Sequence, residues 1–516
     1  MLIEGIGLLI TSLSFGLIML FLIIGFPEIK KEFKKINQNT WILILIIFLI
    51  GAGIRFALPH ANFIYSSEYS DLQAGKNILL HGKAELCEYE DFELLKCYSY
   101  KKMIGGPLLF AMAFSIFGVD NFVAINVATL FGSLSIFLMF LIGYLIFNER
   151  IAILSALFMA LSPLHIFFSL SASIYIIGLF FVLLTIFAFL IFFKNKNTKV
   201  LILGALSIAF SIQILAELVL LIPLVIFMFF IFEKDLKKKV RNYKFWIPPL
   251  VSFIFFFLAF LQLSGNFYLI SSVENKNIFE NLIKMLQYTY EIHFFNLPFM
   301  PFPIFFICFS MYSFLNHRRK TVLIFFWFIL FFSFYLFSHF IQLNIFLLFC
   351  PALALVNASG ISFISGKIKK NSAFVFFAIL LTILPFSMFN FYYFFQSQLK
   401  LETDIVNEIK NDIPENCYLI VANPTVFRST SDVKAINIEK ALDNKFIIYL
   451  EKKTDCIMFL SDVYCFFEDY NYSKIYQGDY CGSVIDLYEL RSFKQYKKDK
   501  IYLYTVYNLS TKSATL

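Results

Sequence analysis

The stretch "SSEYSDLQAGK" sets two carboxylates, Glu68 and Asp71, three residues apart, and follows them with Gly75 and Lys76. On a helix, positions i, i+3 and i+7 share a face, so Glu68, Asp71 and Gly75 are expected together, with Lys76 on a neighbouring face. Paired carboxylates can take or orient the proton of a hydroxyl, or hold a divalent cation, and a nearby ammonium suits a phosphate. Ser66 or Ser67 stands where a helix N-cap is expected, and a first turn holding Glu68 and Asp71 also complements the helix dipole. That dipole role, on a solvated loop, is the competing explanation for both acids.

Other polar residues draw notice because ionisable groups at membrane depth are costly and tend to be functional. Glu217, in "IQILAELVL", falls at an expected turn between two apolar blocks; a carboxylate simply wetted at the interface is its alternative. His165 follows Ser162-Pro163, and His293 and His339 lie by expected outer loops; a packing role competes for each. Lys101 and Lys102 precede a Gly-Gly-Pro break and an amphipathic run, "LLFAMAFSIF", expected to lie along the membrane surface. Tyr288 and Tyr290, with the neighbouring Phe and Pro residues, read as an aromatic belt.

The elements that must position these groups follow from composition. Of 516 residues, 59% are hydrophobic and 71 are Phe, and the mean hydropathy is +0.76. Runs near 20 apolar residues match the roughly 30 Å hydrocarbon core of a bilayer. The expected fold is an all-α polytopic membrane protein of about twelve spans. They cover 2–26, 41–58, 122–147, 151–170, 174–193, 199–215, 217–233, 246–264, 298–316, 321–340, 343–365 and 373–395. The first lacks a basic leader and a cleavage site and is expected to be a retained helix. Short basic connections alternate: Lys30 to Lys35, Arg150, Lys194 to Lys199, Lys234 to Lys244, Arg318 to Lys320, and Lys367 to Lys370. All fall on one side, which the positive-inside rule makes cytoplasmic. The +8 net charge therefore reflects topology, and nucleic acid is not an expected partner. A composition rich in Phe, Ile, Lys and Asn fits an A/T-rich prokaryotic genome and hence a plasma membrane.

This orientation puts the N-terminus, the loop 59–121 and the tail outside. Residues 1–398 read as the membrane domain, and 399–516 as a small extracytoplasmic α/β domain. Its β-prone runs are "CYLIVA", "KFIIYL", "CIMFL" and "KIYLYTVY", with helical periodicity in "ETDIVNEIKNDI". Cys308 and Cys350 lie within spans, and the other six cysteines are outside. An even number in each outer segment favours disulfides, Cys87–Cys97 being the simplest pairing. Cys417, Cys456, Cys465 and Cys481 allow three connectivities.

The span 55–195 resembles the C-type glycosyltransferases of the protein O-mannosyltransferase and lipid A aminoarabinose transferase group. The resemblance rests on the order of "SEYSDLQAGKNIL", "GGPLLFAMAFSIFGVDNFVAINV" and "ERIAILSALFMALSPLHIFFSLSAS", and on the later "FCPALALVNASGI". It implies transfer of a sugar from a polyprenyl-phosphate carrier to a glycan or protein acceptor on the outer membrane face. Carried over by position, Glu68 matches the Glu of the family's Asp-Glu pair and is the acid/base, with Asp71 its partner for acceptor or metal. Glu217 joins them as a further carboxylate. Arg55, Lys76, Lys101 and Lys102 are the implied phosphate-facing cations. Tyr175 stands near the family's second-loop acid, and with His165 is placed on the substrate. Many members of the family bind a divalent metal and others do not; Mg or Mn on Glu68 and Asp71 is the cofactor the resemblance suggests. Three positions depart from the family: Ser67 replaces the Asp of the pair, "SLSASIYIIG" has no acid, and Gln342 and Asn344 replace a late Arg-Tyr. A non-catalytic relative that binds a lipid-linked glycan or assists a partner enzyme is the second reading. A secondary transporter is the third; it predicts inverted repeats and mid-span charges, which this sequence does not show.

Overall fold

The computed structural model describes residues 2–58, 66–89, 95–100, 102–233, 318–336, 347–367, 408–414, 416–421, 424–428, 433–438, 456–461, 488–498 and 502–511, with single positions within 240–257 and 446–454. The expected spans at 298–316 and 373–395 lie outside these residues, as do Lys101, Tyr288, Tyr290, His293, His339, Gln342, Asn344, Cys308, Cys465 and Cys481.

The chain opens with helices α1 (Leu2–Phe33) and α2 (Gln38–Ala57), then α3 (Ser66–His81) and a hairpin of β1 (Glu85–Tyr89) and β2 (Leu95–Ser99). Helices α4 (Gly105–Phe117), α5 (Asn121–Ile146), α6 (Glu149–Leu161), α7 (Pro163–Ser169), α8 (Ile174–Asn195) and α9 (Thr198–Ile214) follow. A 3₁₀ turn, Ala216–Leu220, leads into α10 (Leu221–Phe232); α11 (Arg318–Leu336) and α12 (Cys350–Lys367) come later. Among the described residues, α1, α2, α5 and α8 are long and apolar enough to cross a bilayer. The chain is a multi-pass membrane protein.

One expected span is two helices. The block 151–170 breaks at Ser162-Pro163, because proline has no N–H for the carbonyl of Met159 and its ring disfavours helix in the residue before it. Ser162 then caps α7, its Oγ accepting from His165 N at 3.5 Å. Helices approach closely where glycine removes a side chain. A Cβ on Gly51 of α2 would stand 2.6 Å from Ile136 Cδ1 and 3.0 Å from Ala160 Cβ. The Gly-Gly-Pro break before α4 serves the same purpose: a Cβ would stand 2.6 Å from Gln213 O at Gly105 and 2.5 Å from Ile174 Cγ2 at Gly106.

Among the described residues, the connections between α1 and α2, α5 and α6, and α8 and α9 meet at one end of this bundle. Glu32, at the end of α1, pairs with Lys194 of α8 at 2.5 Å and Lys35 at 2.6 Å. Glu149, at the start of α6, accepts from Thr40 Oγ1 at 2.6 Å and Asn37 N at 3.2 Å at the start of α2. Lys196 pairs with Glu233 at 2.5 Å.

The chain divides into two compact units: Met1–Ala61, Lys101–Leu109 and Ala124–Gln396 in one, Asn62–Tyr100, Phe110–Val123 and Ser397–Leu516 in the other. Most of the loop 59–121, read with the membrane domain from sequence, thus groups with the tail, while Lys101–Leu109 stays with the bundle. In that second unit β3 (Tyr418–Val421), β4 (Lys434–Asn437), β5 (Ile457–Ser461), β6 (Tyr488–Lys498) and β7 (Tyr502–Thr511) form a sheet of order β4-β3-β5-β7-β6. Strand β3 pairs parallel with β4 and β5, and β7 antiparallel with β5 and β6. A short helix, α13 (Pro424–Arg428), connects β3 to β4. The run "KFIIYL", expected as a strand, is instead helical at Phe446 and Ile448. A connection between parallel strands must cross back over the sheet, and a helix does this in few residues.

Gly51→Val is expected to lower stability by about 1–3 kcal/mol through overpacking, read as a lower melting midpoint in detergent. Gly53→Ala, with nothing within 4 Å of its Cβ position, does not lower the midpoint and is expected to raise it slightly.

Candidate active site

Helix α3 buries polar side chains among its apolar ones, Tyr69, Leu72 and Ala74. Glu68 and Asp71 are 3% and 1% exposed, and Gln73 and Asn77 are buried with them, whereas Leu79 and Leu80 are exposed. A helix merely solvated on a loop would show the reverse, so complementing the helix dipole does not account for these acids. Glu68 lies in the first helical turn, and Asp71 falls one turn further than expected. The Tyr100 hydroxyl donates to Asp71 Oδ1. Tyr100 is itself buried, held on the continuation of β2 by its N–H to Ala84 O at 2.8 Å. Burial, with the Asp71 carboxylate adding to it, pushes the Tyr100 hydroxyl well above the usual tyrosine range, so it stays a donor.

The hairpin fixes α3 from the other direction. Its strands pair antiparallel with Cys87 opposite Cys97, and the two are joined by a disulfide as expected. Gln73 Nε2 donates to Cys87 O at 3.1 Å, and Asn77 Nδ2 to Glu85 O at 2.8 Å. Tyr100, Gln73 and Asn77 were not singled out by sequence reasoning. The available signal was the hairpin register, which sets Tyr100 just beyond Cys97.

Lys76 is half-buried on α3. In the same unit burial lowers Lys410 to about 8, with the Lys76 charge adding to the shift and Asp120 opposing it. Between pH 8 and the ordinary lysine range, the unfolded chain holds a proton at residue 410 that the folded chain has released. Stability conferred there therefore rises with pH across this window.

The bundle unit holds the remaining candidates. Glu217 sits in the 3₁₀ turn, and its Oε1 accepts from the Tyr175 hydroxyl at 3.5 Å, a long hydrogen bond. The Lys102 charge acts on Glu217, and Lys102 itself is solvent-exposed. Glu68 and Asp71 thus share one unit, and Glu217, Tyr175 and Lys102 the other.

Two residues expected at the substrate lie in the interior of the bundle unit. Arg55, expected to face phosphate, is 0% exposed. Its Nη1 donates to Gly51 O at 2.7 Å and Ala160 O at 2.9 Å, and its Nη2 to Met159 O at 3.3 Å. Nη2 also donates to His165 Nδ1 at 2.6 Å, and Nε to Ser169 Oγ at 3.3 Å. A guanidinium has five N–H donors, so none is left for a ligand. The carbonyls of Met159 and Ala160 are those freed by the break at Pro163, and a cation at the end of α6 also suits its dipole. His165, expected on the substrate, is likewise interior. Because the guanidinium can only donate, Nδ1 accepts and the proton belongs on Nε2, which has no partner among the described residues.

Among the described residues, no third His, Cys, Asp or Glu joins Glu68 and Asp71 in a group able to hold a metal. Asp71 already spends one oxygen on Tyr100. Mg is commonly held by one or two carboxylates completed by waters and substrate phosphates, so Glu68 and Asp71 are the residues that would hold it.

The fold is that of membrane glycosyltransferases of the C type, as likeness to solved structures shows. Residues 101–262 match the family model of the dolichyl-phosphate-mannose-protein mannosyltransferases. ArnT from Cupriavidus metallidurans, bound to undecaprenyl phosphate, is 11% identical with a TM-score of 0.56, over 91% of this chain and 98% of that one. The oligosaccharyltransferase AglB from Archaeoglobus fulgidus, in complex with an inhibitory peptide and a dolichol-phosphate, is 12% identical with a TM-score of 0.57. That match covers 94% of this chain and 75% of AglB. Another structure of the Archaeoglobus fulgidus oligosaccharyltransferase is a complex with Zn and sulfate. No curated protein sequence matches the chain. The family match includes Lys101, Lys102, His165, Tyr175 and Glu217 and stops short of α3.

Arg55→Met is expected to cost about 3 kcal/mol or more, since several buried carbonyls lose their donors. Arg55→Lys restores this only in part, and neither changes binding of polyprenyl phosphate to protein that remains folded. A large loss of affinity at an unchanged melting midpoint would instead return Arg55 to the phosphate. Separately, raising the pH from 8 to 10 should raise the melting midpoint of the wild type relative to Lys410→Met; parallel curves would contradict the burial of that ammonium.

Proposed function

We propose that the chain is an integral-membrane glycosyltransferase that moves a sugar from a polyprenyl-phosphate donor to an acceptor on the outer face of the plasma membrane. The observation that carries this reading is the burial of Glu68 and Asp71 on α3, with a protonated Tyr100 hydroxyl fixed on Asp71. Glu68 takes the proton of the acceptor hydroxyl as its oxygen bonds to the anomeric carbon. The bond from that carbon to the phosphate oxygen breaks, its electron pair leaving with the polyprenyl phosphate, and the sugar carbon inverts. Asp71 orients the acceptor. Lys76, Lys101 and Lys102 are the cations for the departing phosphate, where positive charge stabilises what develops in the transition state. Glu217 and Tyr175 supply a second polar pair for the sugar.

The N-terminus and the tail are placed outside by the charge bias of the connections, and the acceptor is a glycan or protein. The partners implied are the bilayer, the lipid-linked sugar and that acceptor. The supporting likeness is to folds whose solved examples hold undecaprenyl phosphate and a dolichol-phosphate. Ser67, where the family carries Asp, puts the acid/base role on Glu68.

Glu68→Gln should lower transfer from labelled prenyl-phosphate sugars in proteoliposomes by roughly 100-fold or more, while polyprenyl phosphate still binds. Unchanged transfer would remove Glu68 from the role. Binding without turnover by the wild type, across a panel of donors, would favour the lipid-linked glycan binder.

A further inference from the structure

The carbonyl of Cys87 accepts from two side chains that come from opposite ends of the chain. Gln73 Nε2, on α3, donates at 3.1 Å, and Arg428 Nη1, at the end of α13, donates at 2.6 Å. A carbonyl oxygen has two lone pairs, so both are used, and the guanidinium bond is the shorter, charge-assisted one. Arg428 is 7% exposed and its neighbour Phe427 is buried. Removing it would leave the Cys87 carbonyl with one donor fewer.

Cys87 is the junction of three elements. The disulfide ties it to Cys97, Asn77 Nδ2 reaches its sulfur at 3.5 Å, and Gln73 and Arg428 meet at its carbonyl. Asp71 is gripped from the same hairpin twice: by Tyr100, three residues after Cys97, and through Gln73, two residues along α3. Whatever sets the hairpin therefore sets Asp71. Behind Arg428 stands a stiff support, because α13 follows β3, an interior strand of the sheet paired on both sides. The start of β3 is pinned to that of β5 by the Cys417–Cys456 disulfide and by Tyr418 N to Cys456 O at 3.1 Å.

We propose that the C-terminal sheet domain is a positioning element for the acid-bearing helix, and that Arg428 is the residue through which it acts. This rests on the reading of Glu68 and Asp71 as the transfer site. Arg428 touches neither acid. It holds the Cys87 carbonyl, which holds Gln73 and the hairpin, which hold Asp71.

The test uses the full chain in nanodiscs. Wild type, Arg428→Ala, Arg428→Lys and Lys452→Ala are compared by hydrogen exchange over 66–81 and by turnover from a polyprenyl-phosphate sugar. In Arg428→Ala, amide exchange in α3 is expected to rise about tenfold or more, matching the loss of a charged hydrogen bond. Turnover should fall through kcat, with the donor KM unchanged. Arg428→Lys, which can still donate to the Cys87 carbonyl, recovers most of both, and Lys452→Ala changes neither. If Arg428→Ala does not fold, Arg428→Gln takes its place, read in the same way. Exchange in α3 equal to wild type, or a loss in KM alone, would overturn the proposal. Silence of the wild type toward every donor would sink the transferase reading, while the exchange comparison would still decide the role of Arg428.

Discussion

Burying two carboxylates is the constraint from which the outer unit follows. A charge removed from water costs several kcal/mol unless the fold supplies donors. Helix α3 hides Glu68 and Asp71 while leaving Leu79 and Leu80 exposed, so its local packing opposes simple amphipathicity. The disulfide hairpin supplies one such donor: Tyr100 reaches Asp71 from one strand, while on the other the carbonyls of Cys87 and Glu85 accept from Gln73 and Asn77. Side chains held this tightly are organised before any ligand arrives, as the proposed transfer requires.

The bundle unit contains a buried charge of a different kind. Arg55 is surrounded by acceptors, three of them backbone carbonyls, and its cation lies at the end of α6 where Pro163 interrupts the helix. Here the charge repairs the backbone instead of meeting a ligand. Thr129 and Ser169 continue the repair, Thr129 Oγ1 donating to Ser169 O at 2.7 Å. Position in a sequence pattern made Arg55 and Lys76 look alike; burial separates them.

Much of the helical architecture was legible, since apolar runs such as 41–58 and 174–193 lie within two or three residues of α2 and α8. The pairing of Cys87 with Cys97 and the strands at "CYLIVA" and "CIMFL" were legible as well. What escaped was tertiary. The break inside 151–170 follows from Pro163, yet the apolar run hid it. The interior role of His165 depends on Arg55, 110 residues away. Arg428 finds Cys87 across 341 residues, and no local spacing encodes that. At the site, the acids were visible as a pair on one face, but their burial and the Tyr100 partner belong to the hairpin register.

The most direct measurement is a structure of the full chain bound to a non-cleavable phosphono analogue of a polyprenyl-phosphate sugar. The account predicts the acceptor-side face of the anomeric carbon within reach of the Glu68 carboxylate through one hydroxyl, at near-attack separations of about 3–3.5 Å for the reacting atoms. The phosphonate should meet lysine ammonium groups, and Arg55 should remain in the interior. A sugar seated away from Glu68 and Asp71, or a phosphonate on the Arg55 guanidinium, would contradict it.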